Sequence, residues 1–199
     1  MLSFRLARAD DADAMARLHA AAVAEGFLPT LGLPFLRLLH HRIARSSHSF
    51  AIVADRDGEV VGMGAATQNV RLLYRDFLVR DGAHAVVVAL PRLVRAARRA
   101  FETLRYPNRE TGLPPAEILV VAVAESARKA GVGRELLALV TKELEARQVR
   151  AVRVVTTAGN TSARALYRTA GFRDVSTTEI HRGTESLVLV RSTPSGSAT

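Results

Sequence analysis

The sequence predicts a mixed α/β domain in which helices pack on one central sheet. Three observations carry this expectation. Apolar residues recur at two-residue spacing in some segments and at three- and four-residue spacing in others. The resulting order is β, α, α, β, β, a helical stretch, β, α, β, α, β, β, and strands interleaved with helices make one layered sheet. The chain has 199 residues and is 48% hydrophobic, enough for one domain with a substantial core.

The first strand is expected over Ser3–Ala9, where polar and apolar residues alternate. Asp10, Asp11 and Asp13 then suit a helix start, Met15, Leu18 and Ala22 form its apolar stripe, and Gly26 is placed to stop it. A break follows in "GFLPTLGLP", with helix resuming at Pro34, a residue suited to a first turn. The run "SFAIVADRDGEVVGMGAAT" reads as a hairpin turning at Asp57-Gly58, a pair that accepts the positive φ of a tight turn. From Gln68 to Pro115 the pattern is helical, with breaks expected at Asp81-Gly82 and a bend near Pro91. After a Pro/Gly-rich loop come a strand (Glu117–Ala124), a helix (Gly131–Arg147), a strand (Arg150–Thr156), a helix (Thr161–Ala170) and two strands (Phe172–Ile180, Ser186–Arg191). One domain is therefore expected over 1–191, with a helical insertion over 68–115 and a disordered tail over 192–199.

Bulk properties exclude several classes. No apolar run approaches the roughly 18 residues that span a bilayer, and the N-terminus lacks a signal-peptide pattern, so a cytoplasmic protein without a membrane partner is expected. The absence of cysteine removes disulfides, thiol nucleophiles and thiolate metal sites. His19, His40, His41, His48, His84 and His181 show no ligand spacing, so no metal is expected. The net charge of +9 invites a nucleic-acid reading. Against it, only Lys129 and Lys142 are lysines among 28 basic residues, and the arginines are scattered except over Arg92–Arg105.

The most specific local signal is "ESARKAGVGRELL", directly after the apolar strand "EILVVAVA". It lacks the spacing of a nucleotide-triphosphate loop, and Leu136 occupies the place of a dinucleotide fingerprint's third glycine. Two glycines alone also suit a tight turn and a close helix–strand approach. A helix beginning near Gly131, however, has unpartnered N–H groups and partial positive charge at its first turn. Glycines at 131 and 133 let an anion approach the backbone, and Arg128 can fork onto phosphate oxygens. The combination suits a diphosphate.

These residues resemble the acetyl-coenzyme A signature of the GNAT superfamily of N-acetyltransferases, a strand followed by Arg/Gln-x-x-Gly-x-Gly/Ala, here at Arg128, Gly131 and Gly133. A second signature follows in "NTSARALYRTAGF", matching at Asn160, Ala163, Leu166, Tyr167, Gly171 and Phe172. The close match covers about Glu117–Phe172; the chain departs from the usual pattern in having Glu125 for proline and Lys129 for glycine. The resemblance implies a mostly antiparallel sheet of six to seven strands flanked by helices, and acetyl-CoA as cosubstrate without a metal. It implies direct acetyl transfer to an amine, with a small-molecule acceptor expected and protein N-termini or lysines as other candidates. The insertion would line the acceptor side, receive an anionic acceptor or form a homodimer contact.

Transfer to an amine calls for three functions. The amine must lose a proton, its pKa being about 10.4. The tetrahedral intermediate needs hydrogen-bond donors, and the departing thiolate benefits from an acid. The resemblance implies that Val121, Ala122 and Val123 pair with the pantetheine arm and that an N–H near Val123 polarises the thioester. It implies that Arg128, Lys129, Ala130, Gly131, Val132 and Gly133 hold the diphosphate, with Asn160, Ala163 and Tyr167 completing the coenzyme site. Tyr167 shares a helix face with Ala163, Leu166 and Ala170, stays protonated at neutral pH, and is the expected acid, although its spacing alone suits a core aromatic. Glu117, six residues before Val123, is the expected base by likeness to the histone-acetylating branch, with Glu125, Glu179, His181 or a water relay in reserve. Rival readings are a non-catalytic acyl-CoA-binding module and a basic DNA- or RNA-binding protein.

Overall fold

The computed structural model describes residues 1–23, 27–109, 112–181 and 184–192. Gly26 lies outside them, as does the tail beyond Ser192. The elements are β1 (Leu2–Leu6), α1 (Ala12–Ala22), α2 (Phe27–Thr30), α3 (Leu33–Arg45), β2 (Ser49–Arg56), β3 (Glu59–Thr67) and α4 (Val70–Arg109). They continue with β4 (Ala116–Val123), α5 (Val132–Ala146), β5 (Ala151–Thr157), α6 (Thr161–Thr169), β6 (Arg173–His181) and β7 (Thr184–Ser192). The described strands form a seven-stranded sheet in the order β1-β2-β3-β4-β5-β7-β6. Every neighbouring pair is antiparallel except β4–β5. Among the described residues no helix is long and apolar enough to cross a membrane.

Local chemistry accounts for most boundaries. The β2–β3 hairpin turns at Asp57 (φ 53°) and Gly58 (φ 87°), and the Gly58 N–H donates to Asp55 Oδ1 at 2.8 Å. The segment expected to be a plain break contains the single turn α2. A larger departure concerns α4, which continues through Asp81-Gly82, where the sequence predicts a break, and includes Pro91. Val70, Leu73, Phe77, Ala85 and Ala89 recur at helical spacing and are buried, so the stripe continues across the expected break. Arg42 of α3 also grips Asp81 with two bonds, Nε–Oδ2 at 2.6 Å and Nη2–Oδ1 at 3.0 Å. A mid-helix glycine costs only about 1 kcal/mol. Packing outweighs it.

Each face of the sheet carries its own core. On one, α5 and α6 pack Leu136, Leu137, Val140 and Tyr167 against Ile118, Val154 and Leu189. On the other, α1, α3 and the start of α4 pack Met15, Leu39, Ile43, Leu73 and Phe77 against Val53, Met63 and Val120. The close seat of α5 depends on two glycines of β3. A Cβ on Gly64 would stand 2.8 Å from Val140 Cγ2, and one on Gly62 would stand 3.0 Å from Leu136 Cδ1. The helix therefore lies on bare backbone.

The second core contains a polar pair. His19 Nδ1 of α1 lies 3.0 Å from His40 Nε2 of α3, the rings meeting edge-on, and His40 Nδ1 has no hydrogen-bond partner among the described residues. Burial lowers His19 from 6.5 to about 4; burial and then the neighbouring imidazole lower His40 to about 3. Both rings fold neutral. An unfolded chain takes up protons as pH falls through about 6.5 while the folded chain does not, so this stability is complete above that value and lost between it and about 4. Chemical denaturation at pH 7.5 and pH 5 should show a loss of about 2 kcal/mol per ring on acidification. A His19→Leu/His40→Leu variant should show a shallower slope; an unchanged slope would mean that other groups set the acid limit.

Candidate active site

The site begins where β4 and β5 separate. The two strands are paired at Ala116↔Val152, Glu117↔Arg153 and Ile118↔Val154, and at no later position. On its other edge β4 stays paired with β3 to Gly62↔Val123. Its register shifts between Ala65↔Val120 and Ala66↔Ile118, leaving Leu119 as an extra residue in β4. The bulge reverses the alternation. Ala116 and Ile118 face the first core, and beyond Leu119 that face is taken by Val121 and Val123, while Val120 and Ala122 enter the second. Simple alternation along "AEILVVAV" does not anticipate this.

The bulge also settles which backbone groups face the gap. Ala124 donates to Val61 O at 2.8 Å. Groups alternate along a ladder, so Ala122 and Ala124 point to β3 while the main-chain groups of Val121 and Val123 point toward the side that β5 has left. Val123 O accepts from Arg128 Nε at 3.3 Å, which agrees. This side chain ties the loop to the end of β4.

The loop ends in an N-cap at Gly131 in the left-handed region (φ 79°), from which α5 starts. Lys129, which stands where the family pattern has glycine, is also left-handed (φ 63°). The Arg128 N–H donates to Glu125 O at 3.2 Å, and those of Arg134 and Glu135 donate to Gly131 O at 3.0 and 3.1 Å. Between them, the N–H groups of Lys129, Ala130, Gly131, Val132 and Gly133 donate to no acceptor among the described residues. Lys129, Ala130 and Gly131 are exposed. This is a row of donors at the positive end of a fifteen-residue helix, with Arg128 and Arg134 beside it. From Arg134 a groove of about 620 Å³ runs between α5 and α6, lined by Leu137, Ala138 and Leu166 and edged by Lys142 and by Arg191, which pairs with Glu145 at 3.0 Å.

α6 lies across from this loop. Asn160 caps it, its Oδ1 accepting from the Ala163 N–H at 3.0 Å, so its side chain serves the helix. Ala163 and Leu166 pack into the first core, and a Cβ on Gly133 would lie 3.9 Å from Leu166 Cδ2 and 3.6 Å from Val123 Cγ2. The end of β4, the start of α5 and α6 thus meet at one point. One turn on, the Tyr167 ring packs edge-on against Phe172 at 5.7 Å and is 6% exposed. Burial pushes its phenol above the ordinary range, so it is protonated at neutral pH. Its hydroxyl makes no hydrogen bond to a described residue.

Glu117 lies apart from this cluster in character. It is buried and accepts from Arg153 Nε at 2.8 Å, an ion pair in which the two side chains are 12% and 3% exposed. Arg153 and its neighbour Tyr74 of α4 are residues that the sequence reasoning missed. The available signal was an arginine at a buried position of the otherwise apolar strand "AVRVV". Glu125 is exposed in a single 3-10 turn, while Glu179 and His181 have side chains outside the described residues.

Residues 20–172 match the model of the acetyltransferase (GNAT) family. No curated protein matches the chain. Among solved structures, the ribosomal-protein-S18-alanine N-acetyltransferase from Escherichia coli is similar at a TM-score of 0.63 and 15% identity, covering 100% of this chain and 99% of that one. The ribosomal-protein-alanine N-acetyltransferase from Brucella melitensis is similar at 0.61 and 22%, covering 96% and 99%. The PaiA N-acetyltransferase from Thermoplasma acidophilum, in complex with coenzyme A, is similar at 0.61 and 12%, covering 97% and 99%. These likenesses concern the fold.

A lysine held left-handed carries about 1 kcal/mol of strain that glycine does not. Lys129→Gly should raise the unfolding free energy by about 0.5 kcal/mol, the added freedom of the unfolded chain cancelling part of the relief. Urea denaturation checks the sign. A fall would mean that the lysine side chain stabilises the loop by more than its backbone costs.

Proposed function

Because the chain belongs to the GNAT family of acetyltransferases, we propose that it moves the acetyl group of acetyl-CoA directly onto a primary amine of a small molecule, with no acyl-enzyme. The carrying observation is the gap between β4 and β5 with the donor row of α5 beside its end; α6, which carries Tyr167, meets that helix start through Leu166. The free N–H groups from Lys129 to Gly133 suit the coenzyme's diphosphate, with Arg128 as a fixed cation. The groove that starts at Arg134 offers apolar surface and the cations of Arg134 and Lys142 to the nucleotide end. The open edge of β4 suits an extended arm that pairs as a short extra strand, as peptides do on exposed sheet edges.

The chemistry then follows from what these residues can supply. The Val123 N–H, turned to the gap, donates to the thioester oxygen and to the oxyanion it becomes. The amine attacks the thioester carbon and forms the carbon–nitrogen bond; as the tetrahedral intermediate collapses and the carbon–sulfur bond breaks, Tyr167, protonated and with a hydroxyl free of described partners, gives its proton to sulfur and regains one from water. The amine's own proton leaves through water, since Glu117 is engaged by Arg153. Asn160 and Ala163 act by fixing α6, and through it the phenol. Acceptor recognition falls to α1, α2, α3 and α4, on the face away from α5 and α6.

A panel of small amines, a lysine-containing peptide and a peptide with N-terminal alanine, assayed for release of free coenzyme A thiol, tests the reading. The alanine peptide is included because two similar structures are ribosomal-protein-alanine N-acetyltransferases. Release with a small amine is the expected result. Tight acetyl-CoA binding with no release for any amine would favour the non-catalytic module. Tyr167→Phe should lower kcat about 100-fold, within the range of general-acid effects. It should leave acetyl-CoA affinity and the melting temperature nearly unchanged, because the hydroxyl supports no described hydrogen bond. An unchanged kcat would remove Tyr167 from the chemistry.

A further inference from the structure

We propose that Glu117 and Arg153 form a clasp that sets how far β4 and β5 open, so that both are positioning residues of the coenzyme slot. This rests on the reading above that the slot receives acetyl-CoA. The two residues face each other in register, Glu117↔Arg153, as the middle of only three pairs that join the strands. Their side chains repeat the contact made by the backbone, with Arg153 Nε donating to Glu117 Oε2 at 2.8 Å. One pair later the seam ends, and the bulge at Leu119 begins at once. A bulge bends its strand and increases its twist. Here it carries β4 away from β5, and the ion pair resists from the vertex.

The surroundings make that resistance effective. The pair is buried beside Tyr74 of α4, whose phenol is raised first by burial and then by the charge of Glu117, and lowered by that of Arg153. Charges attract more strongly away from water, and a buried pair is costly to break by removing one member. The same geometry argues against Glu117 as the general base. Accepting a substrate proton would neutralise the carboxylate and strip the guanidinium of the charge 2.8 Å away. Tyr74 belongs to the helix that follows β3 on the acceptor side, whereas the strands that the clasp joins frame the coenzyme gap.

Three variants test the proposal: Glu117→Gln, Arg153→Met and the double Glu117→Met/Arg153→Met. Apolar replacement of a whole buried ion pair is often neutral for stability, so the double variant should melt within about 3 °C of the parent. Calorimetric titration with acetyl-CoA and the pH dependence of kcat are the readouts. All three variants should bind acetyl-CoA about tenfold more weakly, with KM raised to match, and the double should be no worse than the singles. The pH profile of kcat should stay in place. If Glu117→Gln instead abolishes the acid limb of that profile while affinity is retained, Glu117 is the base and the clasp is wrong. Parent-like affinity in all three variants would also overturn it, with the functional reading intact. A parent protein that fails to bind acetyl-CoA would overturn both.

Discussion

The separation of β4 from β5 is the constraint around which the molecule is organised. Three residue pairs hold the only parallel neighbours among the described strands, and past Ile118 and Val154 the sheet divides. An edge created inside a sheet leaves main-chain donors and acceptors unmatched, which is unfavourable unless something pairs with them. In this chain the edge lies between two covered faces and beside the start of a helix whose own first N–H groups are unmatched. Two sets of unsatisfied backbone groups therefore converge, and on the proposed reading a ligand with an amide-bearing arm and a diphosphate would satisfy both.

Most of this site is backbone. Side chains contribute by positioning it. α5 reaches its place because Gly62 and Gly64 leave no side chains between it and β3. Its first turn is aimed by left-handed residues at 129 and 131, and Arg128 ties the loop to Val123 O. On the opposite face, ion pairs and polar contacts link the helices: Arg42 to Asp81 joins α3 to α4, and His19 to His40 joins α1 to α3. The close seat of α5 rests on glycine and backbone, whereas α3 is joined to α1 and to α4 through side-chain pairs.

The order of elements was legible because each has a strong local signal: apolar periodicity for β4 and α5, Asp57-Gly58 for the hairpin, Asn160 for the cap of α6. The loop was legible for a related reason, since Gly131 is needed where φ is positive and its neighbours then lie at a helix start. What was not legible depends on partners distant in the chain. The bulge at Leu119 exists because β3 and β4 must match register on both sides of it, and nothing in "EILVVAV" marks the extra residue. The continuity of α4 across Asp81-Gly82 depends on Arg42, 39 residues away. Glu117 reads as a strand end until Arg153, 36 residues later, closes on it. Local chemistry is written locally; pairing across the fold is not.

The central claim is that main-chain donors at the head of α5 and along the free edge of β4 grip the coenzyme. Amide chemical shifts measured by two-dimensional NMR during titration with coenzyme A test it most directly. The account predicts the largest shifts at Lys129, Ala130, Gly131, Val132 and Gly133, with Val121 and Val123 moving in parallel and the β1–β2 amides still. Saturable shifts elsewhere, with the amides from 129 to 133 unmoved, would contradict it.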